Sequence, residues 1–139
     1  QASWQIVTHA DSALQSLKVE EARFLFTEGQ IQGQVPELID LKEEPLRAQF
    51  YEEVLSMTLN RWRAIWAKRV FTGSRRLPKQ LALDYVVQYL ETNPSSVAYL
   101  PDHLPLPPTL KVIYCSPKLT SNMAELPCTT ANDSSRRLR

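Results

Sequence analysis

The chain has 139 residues, of which 43% are hydrophobic and 22% charged, and its formal net charge is +1. That length supports one domain with a buried core, and so balanced a charge gives no electrostatic case for nucleic acid. No apolar run approaches the ~20 residues that span a bilayer, and with only 3 glycines there is no Gly-rich phosphate loop.

Trp4 to Thr8 is a short β-prone run and is predicted as the first strand. The polar loop from His9 to Ser12 follows it, at the strand end where open α/β sheets bind ligands. A solvated turn is the simpler reading of His9 and Ser12. Lys18 to Glu28 is predicted as the first helix: Val19, Ala22 and Phe26 share a face, Phe24 and Leu25 flank it, and Glu20 and Glu21 sit in the first turn. Gly29 and Gly33 bracket a turn. Val35 to Leu41 reads as a second strand, with Pro36 confined to its beginning. Glu43-Glu44-Pro45 opens the second helix, whose stripe is Leu46, Phe50 and Val54, widened by Tyr51 and Leu55.

The stretch Thr58 to Gly73 carries the strongest pattern. Thr58 is a natural N-cap. Leu59, Trp62, Ile65, Trp66 and Val70 recur at steps of three and four and so share one face. Lys68 and Arg69 suit the dipole of the last turn, and Gly73 is a ready left-handed stop. Two indoles on one stripe bury ~200 Å² each, which places this helix across the core.

Ser74 to Lys79 reads as a basic loop holding Arg75, Arg76 and Lys79: a solvated surface, or a site for an anion or acidic partner. Leu81 to Thr92 is predicted as a helix that buries Ala82, Val86, Tyr89 and Leu90, and Pro94 ends it. Val97 to Leu100 is a short buried strand. Pro101 to Pro108 is a stiff connector, and Leu110 to Tyr114 is the last strand. The expected organisation is one α/β domain over residues 1–114, a mixed sheet flanked by helices, followed by an extended or disordered tail over 115–139. Cys115 and Cys128 match no zinc spacing. They either close a loop in an oxidising compartment or stay as thiols.

Several segments resemble short bacterial periplasmic proteins related to the phosphate-binding component of ABC transporters. They are Phe24-Leu25-Phe26, Pro45-Leu46-Arg47-Ala48-Gln49-Phe50-Tyr51, Glu53-Val54-Leu55 and Asn93-Pro94-Ser95-Ser96-Val97-Ala98-Tyr99. The most specific is Trp66-Ala67-Lys68-Arg69-Val70-Phe71-Thr72-Gly73. The resemblance spans residues 4–114. It implies one lobe of a type 2 periplasmic-binding-protein fold, a periplasmic location with a signal peptide removed, and binding of phosphate or a similar oxyanion. The contacts it implies are Ser12, Arg47, Thr72, Gly73, Ser74 and Arg75. It depends on no cofactor and no metal.

The chain departs from that pattern at its site. Glu43 and Glu44 stand where the family carries small residues ahead of Pro-Leu-Arg, and Ala98 replaces another small residue. A fixed carboxylate ~4 Å from a bound anion repels it by ~4 kcal/mol at an effective dielectric of ~20, before screening. The matching residues read as core, and the departures fall on the cradle. One lobe also offers only half a clamp around a small anion. No nucleophile elbow, Cys/His pair or paired-carboxylate motif suggests an enzyme. Two readings stand: a periplasmic oxyanion-binding domain whose site has degenerated, or a non-catalytic scaffold that binds protein partners in the bacterial envelope.

Overall fold

The computed structural model describes residues 3–116. In chain order the elements are β1 (Trp4–His9), α1 (Val19–Glu28), β2 (Glu37–Leu41), α2 (Glu44–Phe50), α3 (Leu59–Phe71), β3 (Lys79–Leu81), α4 (Leu83–Thr92), β4 (Ser96–Pro101) and β5 (Leu110–Cys115). α2 runs directly into a π-helical turn, Tyr51–Leu55. The strands form one five-stranded sheet in the order β3-β2-β4-β1-β5. β2 is parallel to β3 and β4, whereas β1 is antiparallel to β4 and β5. This is the expected mixed sheet of a small α/β domain.

Burial at consecutive positions of β1 and β4 shows that both faces of the sheet are covered. The middle of the core is aromatic. Phe50 and Tyr99 stack with ring centroids 3.9 Å apart, and Trp4 meets both edge-on at 5.5 and 5.9 Å. The π-helical turn adds a residue to the helical repeat, which lets Phe50, Tyr51, Val54 and Leu55 all bury. It ends at Ser56, whose φ of 57° is left-handed.

α3 begins as expected. Thr58 Oγ1 accepts a 3.1 Å hydrogen bond from the Arg61 N–H. It also ends as expected: the Gly73 N–H reaches the Val70 carbonyl and the Ser74 N–H reaches the Arg69 carbonyl, a Schellman closure with Gly73 at φ 78°. The indoles of Trp62 and Trp66 are buried, and both Nε1–H groups donate to the Phe26 carbonyl at 2.9 Å. The expected stripe is shorter than its pattern. Val70 is 43% exposed and its neighbour Phe71 is 90% exposed, because α3 runs past the body it packs on. Phe71 belongs to the segment most specific to the resemblance and is not core. Phe24 is also substantially exposed.

Two boundaries are corrected. Lys79–Leu81, read as basic loop and helix start, is an edge strand, because β2 offers it a parallel partner that local pattern does not reveal. At the other edge, β5 continues through Cys115, and Ser116 exchanges hydrogen bonds with Trp4, so the last strand outruns its expected end at Tyr114. Cys115 is not a free thiol. Cys128 and the rest of the expected tail lie outside the described residues.

Candidate functional site

At the carboxyl ends of the parallel strands, two carboxylates arrive from β2 and the turn after it. Asp40 stands in the buried, otherwise apolar run of β2, Leu38-Ile39-Asp40-Leu41, and is 2% exposed. Its Oδ2 accepts from Arg47 Nε at 3.0 Å and from the Tyr51 hydroxyl at 2.8 Å. Its Oδ1 accepts from the Leu41 N–H at 3.0 Å and from the Tyr99 hydroxyl. Every bonding direction of this buried charge is therefore used, as burial of a charge demands. Burial first, then the Asp40 charge, drives the pKa of Tyr51 and of Tyr99 well above the usual phenol value. For Arg47, burial pulls the pKa down, the Asp40 charge pushes it up, and the net direction is up.

Arg47 is itself 6% exposed and lies against the rings of Tyr51 and Trp62, 5.8 and 5.6 Å from their centroids. With its Nε fixed by Asp40, its Nη edge faces a cleft of about 900 Å³. Lys42, Glu44 and Arg63 join it on the polar side, while Trp62, Val70, Phe71 and Leu77 supply apolar wall. Glu44 Oε2 accepts from Arg63 Nη2 at 2.7 Å and lies 3.8 Å from Arg47 Nη1.

Glu43 has a different task. Ala82, at the start of α4, has no side chain able to cap that helix. The Leu83 N–H instead points at the Glu43 carboxylate, 3.2 and 3.1 Å from its two oxygens. A helix N-terminus is where an anion binds, and here the chain's own carboxylate takes that place.

Of the six residues expected to hold an oxyanion, Gly73, Ser74 and Arg75 line one cleft of about 820 Å³, while Ser12 and Arg47 lie at other clefts. Arg47 serves the Asp40 cleft. Ser12 Oγ accepts from the Leu14 N–H at 3.1 Å and borders a separate cleft of about 260 Å³. Thr72, Gly73 and Ser74 close the C-terminal end of α3, and both hydroxyls lie within 3.2 Å of the Arg69 carbonyl oxygen. That end carries partial negative charge and disfavours an anion. Arg75 donates through Nε to the Glu28 carbonyl at 3.1 Å and through Nη1 to the Ser74 carbonyl at 2.7 Å.

Arg75 thereby completes the end of α1, whose last four carbonyls have no intrahelical partner. Gly29 N–H takes Leu25, the two indoles take Phe26, Arg69 Nε takes Thr27 at 2.6 Å, and Arg75 takes Glu28. Arg75 also lines a cleft of about 820 Å³ with Arg76 and Lys79. Ala98, another departure from the resemblance, is buried in β4 opposite Val7 and Ile39 and lies in the core.

No protein-family model and no curated protein sequence matches this chain. Among the described residues no group of three or more His, Cys, Asp and Glu side chains could hold a metal, and no helix is long and apolar enough to cross a membrane. The sequence reading does not single out Asp40, and it places Tyr51 only in an apolar stripe and Tyr99 only within the resemblance. The available signal was the acid inside an apolar strand, which a buried position tolerates only with partners.

Proposed function

We propose that this chain is a non-catalytic interaction domain of the bacterial envelope, built on a lobe like that of periplasmic phosphate-binding proteins, with its anion site closed by its own carboxylate. The observation that carries the reading is Glu43, which stands ahead of Pro45 where the resemblance puts the anion cradle and whose carboxylate is held in place by the Leu83 N–H. Phosphate in that cradle would have to sit beside a tethered carboxylate. The commitment of Arg75 to backbone carbonyls and the placement of Thr72 and Ser74 at a helix C-terminus support the same reading. A domain that keeps the core of a binding lobe without its cradle is suited to contact proteins through its surface, and a periplasmic location follows from the resemblance.

The cationic cleft of Arg75, Arg76 and Lys79 favours a second reading, retained oxyanion binding. Thermal denaturation with and without millimolar phosphate separates the two. A ligand that binds only the native state at a hundredfold excess over Kd adds ~2.7 kcal/mol. The interaction reading expects no rise in Tm. A saturable rise, lost in Arg75→Ala, would establish the oxyanion reading instead.

A further inference from the structure

We propose that the Asp40–Arg47 cleft is a binding site for a small amphiphilic carboxylate, a monocarboxylate carried on an apolar chain. The site has three features of a ligand pocket. It is a concavity of about 900 Å³, within the usual size of small-molecule sites. It holds one almost wholly buried guanidinium whose position is set before any ligand arrives: Asp40 fixes Nε at 3.0 Å, and the Tyr51 and Trp62 rings flank its plane. Its lining also includes open apolar surface, with Phe71 90% and Leu77 60% exposed.

Charge selects the head group. Lys42, Arg47 and Arg63 face the cleft against Asp40 and Glu44. Asp40 is fully engaged by its own partners. Glu44 is engaged by Arg63 at 2.7 Å and stands beyond hydrogen-bond range of Arg47 Nη1. With Asp40 paired to Arg47 and Glu44 to Arg63, the net positive charge that remains among the lining residues is that of Lys42, and Arg47 contributes a fork-shaped donor edge in the same cleft that matches a carboxylate. Phe71, Val70 and Leu77 then offer the chain of such a ligand a surface that leaves water on binding. A compact inorganic anion would leave that surface wet, and a neutral amphiphile would give Lys42 and the open donors of Arg47 no counter-charge.

This site is distinct from the Glu43–Leu83 contact, so the phosphate experiment and the one below fail independently. The full chain is titrated with octanoate, below its micellar concentration, by calorimetry and by tryptophan emission, since Trp62 lines the cleft. Octanamide and acetate are titrated alongside. The expected result is saturable octanoate binding, with octanamide and acetate each weaker by about tenfold or more. Phe71→Ser, at an exposed position, should keep the wild-type Tm and weaken octanoate by about tenfold, the loss expected for roughly 60 Å² of apolar contact. Arg47→Lys should weaken it as well, and if that variant fails to fold, the ligand series and Phe71→Ser still decide. Absence of saturable octanoate binding would overturn the proposal. So would octanamide or acetate binding as tightly as octanoate, or Phe71→Ser binding octanoate as the wild type does.

Discussion

Arg47 Nε donates to Asp40 Oδ2 across 3.0 Å, and the two side chains are only 7% and 3% exposed. A strand and the helix after it thus bury a charge pair that neither could carry alone. Removing one partner leaves the other charge buried and unmatched. Arg47→Ala and Asp40→Ala should each lose about 3–5 kcal/mol in urea denaturation. The double variant Asp40→Leu/Arg47→Met should lose much less than the sum of the two. Additive losses would mean that the pair acts through packing and not through charge.

The phenols on Asp40 set the alkaline limit. Tyr51 and Tyr99 have pKa values raised above the unfolded value of 10.0 by burial and by the Asp40 charge. Tyr89 is pushed up to about 12, chiefly by its hydrogen bond to Glu37. In each case the native state holds its proton more firmly than the unfolded chain does. The stability they contribute is complete below pH ~10 and is lost as pH rises above it, because only the unfolded phenols then release protons. Tyr51 and Tyr99 should ionise together with unfolding, read as tyrosinate absorbance tracking the loss of circular dichroism. Tyr99→Phe should flatten that alkaline decline while lowering stability near neutrality by about 1–2 kcal/mol. Tyrosinate from these positions in a folded chain would contradict the assignment.

Glu43 caps a helix to which it does not belong. Glu43→Ala should cost about 1 kcal/mol, the usual worth of an N-cap, and Glu43→Gln less, because the amide oxygen still accepts from Leu83. Hydrogen exchange at the start of α4 should accelerate in the alanine variant. Unchanged protection there would show that water serves equally well.

Two glycines in the same backbone conformation should respond differently to alanine. Gly29 and Gly73 both have φ of 78°. A methyl at Gly73 meets open space, whereas one at Gly29 comes within 3.0 Å of Arg75 Cδ and Nε and 3.1 Å of the Trp66 ring. Gly73→Ala should cost about 1 kcal/mol from the left-handed backbone alone. Gly29→Ala should cost about 2–3 kcal/mol, since it also pushes Arg75 off the Glu28 carbonyl and crowds an indole. Equal Tm changes would show that Arg75 yields freely.

Much of this architecture was legible residue by residue. Thr58 as a cap, Gly73 as a stop, Pro45 inside a helix start and the alternation of elements depend on contacts within about one helical turn, so the local string contains them. The charged and polar residues were harder. Arg75 looked like a surface cation and is the cap of a helix that ends 47 residues earlier. Glu43 looked like an obstacle to an anion and stands in for one, 40 residues from its partner. Asp40 drew no notice because its partner Tyr99 is 59 residues away. The edge strand Lys79–Leu81 exists because β2 lies beside it. Hydrophobic period and turn chemistry are short-range properties written along the chain. Which charge meets which helix end depends on strand order, and strand order is decided only when distant segments close on one another.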